Sequence, residues 1–165
     1  MLNIIQNNPY RFLGIFSNSP IREKVANTNR LNAYLNANRQ VTFPLDNICS
    51  LGTISRTTDG LGTANGSLNL PKDQLKYALF WFINATDIDN MALQYLQNGN
   101  VEKAEELLCK RDNFSSLINR GVLYFVQEND GEAIRNITKV IHEEEYAESF
   151  VNAICGNTFT IDEEG

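Results

Sequence analysis

The chain has one histidine, His142, and it stands directly before Glu143-Glu144-Glu145. A metal centre needs ligands spaced so that they converge on one ion, and this run has no such spacing. His142 reads as a solvated side chain near a helix end, and the three glutamates read as a solvated face rather than paired catalytic acids. With a single histidine, neither a Ser-His-Asp nor a Cys-His arrangement can be argued. Cys49, Cys109 and Cys155 are far apart and odd in number, and no CxxC occurs, so zinc and thioredoxin-like chemistry lack their spacing. They read as reduced, mostly buried thiols. Gly60-Leu61-Gly62-Thr63-Ala64-Asn65-Gly66 imitates a phosphate loop, but no strand precedes it and neither GxGxxG nor the P-loop pattern is met. Asp87, Asp89 and Asn90 lack the remaining ligands of a calcium loop. These absences point away from an enzyme and imply no cofactor and no metal.

Composition narrows the partners. The 165 residues suit one domain or two small ones. A formal net charge of -6 argues against nucleic acid, which selects a basic face. No apolar run approaches the roughly 18 residues of a membrane helix; the longest is 78–83. The first residues, Met1-Leu2-Asn3-Ile4-Ile5-Gln6, lack a basic region and a cleavage site, so no secretory leader is read there. A cytoplasmic protein with neither nucleic acid nor membrane as partner is the expectation.

Local patterning predicts an all-α chain. Asn8-Pro9-Tyr10-Arg11-Phe12-Leu13-Gly14-Ile15 reads as a short helix stopped by Gly14. Ser19 as N-cap and Pro20 at N1 open a helix over 20–38. Its apolar face would be Ile21, Val25, Thr28, Leu31 and Leu35, and its other face a mildly basic surface with Arg22, Lys24, Asn27, Arg30 and Asn38. Residues 40–50 form a loop around Phe43-Pro44-Leu45-Asp46-Asn47. A third helix over 53–68 is weakened by Gly60, Gly62 and Gly66. The stretch 70–82 holds the only tryptophan, Trp81, and reads as a helix capped by Asn69 and apolar nearly all round. Such a helix would be the joint between an N-terminal and a C-terminal half. Asp87 then caps the first of five amphipathic segments, 88–98, 101–111, 115–127, 131–141 and 143–155, divided by short turn signals. Residues 158–161 could form a short extended tail.

The first half resembles a degenerate J-domain. The likeness rests on Tyr10 and Leu13-Gly14 at the start of the first helix. It continues with the second helix ending near Arg39, and with Phe43-Pro44-Leu45-Asp46 where that family carries His-Pro-Asp. Ala64 to Lys76 resembles the end of the family's third helix. J-domains use the His-Pro-Asp triplet to trigger ATP hydrolysis in a heat-shock chaperone. Here Phe43 stands for the histidine and Leu45 is inserted before Asp46, so the resemblance implies the fold with the trigger lost. The loop equally suits a plain anchor with Phe43 in the core.

The second half resembles irregular tetratricopeptide repeats. Gly121 and Ala133, and likewise Ala92 and Ala104, have the twelve-residue separation of that family's small residues, which let antiparallel helices approach. The domain expectation is a J-like unit over 8–70, a joint helix with repeat-like helices over 71–157, and a tail over 158–165. The function implied is a non-enzymatic adaptor that binds another protein, a heat-shock chaperone being the candidate the resemblance supplies. The alternative is an active co-chaperone stimulating that ATPase through the altered Pro44-Leu45-Asp46 loop. Candidate binding residues are Arg22, Lys24, Arg30, Phe43, Pro44 and Asp46 in the first half. In the second, the repeat pattern nominates Asp89, Leu93, Leu96, Ile118, Val122 and Phe125, although ordinary core packing would give the same apolar stripe.

Overall fold

The computed structural model describes residues 2–48 and 51–159, and every regular element among them is helical. The chain is all-α, as its patterning predicts. Among the described residues ten α-helices follow one another: α1 (Leu2–Gln6), α2 (Pro9–Phe12), α3 (Ile21–Asn36), α4 (Thr58–Ser67), α5 (Pro71–Ala78), α6 (Asp87–Gln97), α7 (Val101–Leu108), α8 (Phe114–Val126), α9 (Asp130–His142) and α10 (Glu144–Phe159). A 3-10 turn over Pro44–Asn47 lies between α3 and α4. One contiguous core runs from Ile5 to Phe150 and crosses the expected boundary at residues 70 and 71. No described helix is long and apolar enough to cross a membrane.

Side-chain caps start five of the described helices. Asn8, Thr57, Asn100 and Asn113 each accept the backbone N–H two or three residues on, a contribution of about 1 kcal/mol apiece. At α6 the cap is Thr86 rather than the expected Asp87. Asp89 reaches back to the Thr86 N–H while Thr86 accepts the Asp89 N–H, so the reciprocal pair wins. At α3 Pro20 takes the N-cap position, because the expected cap, Ser19, accepts the Phe16 N–H through its hydroxyl. Leu70, not Asn69, precedes α5. The expected tail is also corrected at its start: Thr158 and Phe159 continue the α10 backbone, and the rest lies outside the described residues.

The reading of 70–82 as one helix is overturned. α5 ends at Ala78, and the chain turns at 79–80 and is irregular over 82–85. Trp81, Phe82 and Ile83 are each fully buried along this irregular stretch. Buried backbone outside a helix needs partners, and side chains from both halves provide them. Asn8 Nδ2 donates to the carbonyls of Tyr77 (2.9 Å) and Phe80 (3.3 Å). The Ser17 N–H and hydroxyl both donate to the Phe82 carbonyl. Trp81 Nε1 donates to the Ile15 carbonyl at 2.9 Å. On the other side Asn119 holds Ile83. The stretch is irregular rather than helical and is held by side chains from before and after it in the chain.

α8 is the helix buried on nearly all sides, from Ser115 to Val126. Its most extensive partner is α9. A Cβ on Gly121 would lie 2.6 Å from Ile137 Cγ1 and 3.4 Å from the Ala133 carbonyl oxygen, so the α8–α9 approach depends on that glycine. Gly14 does similar work in the first half. It has φ +67°, and a Cβ there would fall 2.2 Å from the Phe43 ring, so the turn after α2 is shaped to seat Phe43.

Candidate functional site

The loop that stands in the trigger position is held from inside. Phe43 and Leu45 are buried, and Asp46 is nearly so. Asp46 accepts a bidentate pair from Arg56, Nη1 to Oδ2 at 2.7 Å and Nη2 to Oδ1 at 2.8 Å, the strong fork geometry of a guanidinium on a carboxylate. Its Oδ2 also accepts the Phe43 N–H at 3.0 Å. Arg56, 2 % exposed, spends its remaining donors on the carbonyls of Phe12 (2.7 Å), Val41 (3.1 Å) and Arg11 (3.0 Å). Its guanidinium lies 5.0 Å from the Phe43 ring centroid. Among the three loop candidates only Pro44 faces solvent. The sequence singles out no role for Arg56: ten residues and an irregular loop separate it from Asp46, and no periodicity links them.

α3 presents most of its surface to solvent. It is anchored by Leu31 and Leu35 toward its C-terminal end and by Asn27, whose Nδ2 donates to the Leu13 carbonyl at 2.8 Å. Two expected core positions are not in the core: Ile21 is 69 % exposed and Val25, one turn on, 50 %. Among the described residues, none extends over the first turns of the helix. The single basic face is corrected as well. Arg22 and Arg30 are exposed and lie about 80° apart around the axis, whereas Lys24 lies about 200° from Arg22. Lys24 is half-buried, and burial lowers its ammonium pKa. Arg30 sits over the rings of Tyr34 (5.7 Å) and Phe43 (5.6 Å).

The second-half candidates do not line a groove. Leu93, Leu96, Ile118, Val122 and Phe125 are all buried in the core. The surface that a helical repeat leaves open is occupied here by the chain itself. α1 packs on α8, and the Phe80 ring lies 5.8 Å from that of Phe125. Asp89 is fully buried and accepts the N–H groups of Ala85 and Thr86 and the Asn119 amide. It organises the start of α6 and offers no surface to a partner.

Remaining reactive groups are dispersed. His142 and Cys109 are exposed, Cys155 is buried, and Cys49 lies outside the described residues. Burial and the neighbouring Cys109 and Glu105 push the Tyr124 phenol up to about 12. Asp112, at the α7–α8 turn, takes Arg120 and Lys139 on its carboxylate and the Tyr146 hydroxyl on its carbonyl. The two cations hold its carboxyl below the ordinary range. Among the described residues no group of three or more His, Cys, Asp or Glu could hold a metal ion. Searches against protein-family models, curated proteins and solved structures find no match to this chain.

Proposed function

We propose that the protein is a non-enzymatic adaptor that holds another protein through the exposed face of α3. The observation that carries this reading is the pair Ile21 and Val25, 69 % and 50 % exposed on adjacent turns with Arg22 beside them. A helix that leaves apolar side chains uncovered next to a cation suits the apolar and acidic face of a partner segment. We further read α2, α3, the Pro44 turn and α4 as a degenerate J-like unit, and α6 to α9 as an irregular tetratricopeptide-like pair. The order of the first elements supports the former. The close approach at Gly121 and the buried Ala92, Ala104 and Ala133 support the latter.

The chaperone relation rests on the resemblance alone. Triggering through the loop would require Asp46 to leave Arg56, and Phe43 has no polar side-chain atom to replace a histidine. The test is photo-crosslinking from position 25 in the native host, with position 102 as control. Capture of one defined partner from position 25, lost in Ile21→Asp with melting unchanged, is the expected result. In single-turnover assays the host's heat-shock chaperone should hydrolyse ATP at the same rate with and without the protein. A severalfold acceleration abolished by Pro44→Ala would favour the co-chaperone instead.

A further inference from the structure

α1, α2, α4 and the irregular stretch from Leu51 to Thr57 enclose a cleft of about 590 Å³, within the range of small-molecule sites. Among the described residues its lining contains one charged residue, Arg11; the rest is neutral, with the polar side chains of Asn7, Thr53, Ser55, Thr57 and Thr63. Arg11 is 2 % exposed. Nη1 donates to the Gln6 carbonyl at 2.9 Å and Nη2 to the Gly52 carbonyl at 2.7 Å. Its buried Nε has no hydrogen-bond partner. Among the described residues no carboxylate pairs with Arg11. Asp46, the carboxylate near enough to act on it, is already held by Arg56. Two buried guanidiniums therefore share one carboxylate, and the excess positive charge sits at the wall of a polar cleft. A buried charge without a counter-ion of its own is costly, and the described lining sets no acidic side chain against an incoming anion. We propose that this cleft binds a small hydroxylated organic anion, a carboxylate or phosphate ester, with its anionic group beside Arg11 and its hydroxyls toward the Thr53, Ser55 and Thr57 side.

The test is titration of the full chain with gluconate and with glucose 6-phosphate, followed by calorimetry and by amide resonances, with glucose as the uncharged control. Saturable binding of either anion, with shifts centred on Gly52 and Gly60 and none for glucose, is expected. Gluconate alone would assign a carboxylate site, glucose 6-phosphate alone a phosphate site, and both a general oxyanion site. Arg11→Gln should weaken binding at least about tenfold, as loss of a charge-assisted contact does. Because Arg11 also braces the backbone, Thr63→Glu is the second variant. It adds a carboxylate at the lining without removing a core contact and should abolish binding while the helical spectrum is kept. No saturation by either anion at about 10 mM, a ceiling weaker than any specific site of this kind, overturns the proposal. So does equal binding of glucose, or Thr63→Glu binding like the unaltered chain.

Discussion

Asn119 clasps Ile83 by both of its backbone groups: Oδ1 accepts the Ile83 N–H at 2.9 Å and Nδ2 donates to the Ile83 carbonyl at 2.8 Å. The same Nδ2 donates to Asp89 Oδ1 at 3.0 Å. All this takes place where Ile83, Asp89 and Asn119 are fully buried. One amide thus ties the central helix α8 to the irregular stretch after α5 and to the start of α6. Asn119→Leu keeps the branched shape but takes the partner away from the Ile83 N–H, the Ile83 carbonyl and Asp89 Oδ1. The expected loss is at least ~3 kcal/mol, since each of the three orphaned buried groups costs about 1–3, measured as a lower urea midpoint with an unchanged slope.

Trp81 tests the joint from its other side. Trp81→Ala should cost ~3–5 kcal/mol because the site is fully buried. Trp81→Phe should cost less, chiefly through the Ile15 carbonyl that loses its donor. Hydrogen exchange should quicken both in the turn at Gly14–Ile15 and in α8. Loosening confined to one of these would assign the stretch to that half alone.

Gly121→Ala is expected to destabilise by ~1–3 kcal/mol, the range for overpacking a filled core, because its methyl would meet Ile137. A double-mutant cycle with Ile137→Ala should show a coupling of opposite sign, as the smaller side chain makes room. Additive melts would mean that the methyl clashes elsewhere.

Asp46→Asn should unfold the loop rather than alter a surface. It leaves Arg56 buried without its counter-charge, for which ~3–5 kcal/mol is the usual cost. Thermal melts should fall for Asp46→Asn and stay within error for Pro44→Ala, whose side chain is exposed. Equal melts for the two variants would mean that the ion pair has little weight.

Acid should weaken the α7–α8 turn. The Asp112 carboxyl is held below its ordinary pKa, first by the bonds from Arg120 and Lys139. A depressed folded-state pKa gives stability that is present above the unfolded value and lost as pH falls through the folded one. Melting temperature should therefore decline below about pH 4 in part through this group, and Asp112→Asn should flatten that portion of the profile. Because Asp112 and Lys139 are largely solvated, the effect should shrink in salt.

The helical class, the five segments after residue 86 and the Gly14 stop were legible in the sequence because each is local. Periodicity shows which face of a helix is apolar, and a polar residue before a periodic run shows where the helix begins. The small residues at 121 and 133 announced a close crossing for the same reason. α1 escaped notice, its five residues being too few to display a period.

What covers an apolar face was decided only by the tertiary structure. Ile118, Val122 and Phe125 carry the pattern of a core stripe and of a groove alike. α1 and the aromatic joint fill the space before them, so they are core. Ile21 and Val25 carry the same pattern, and no described residue folds over them. The end of α5 at Ala78, the clasp of Asn119 on Ile83 and the fork of Arg56 on Asp46 all involve partners outside a single helical turn. Their separations of 36 and 10 residues have no periodic signature. Local sequence therefore determined the elements. The choice between core, joint, latch and exposed face belonged to contacts between distant residues, because burial and hydrogen-bond satisfaction are properties of the whole packed chain.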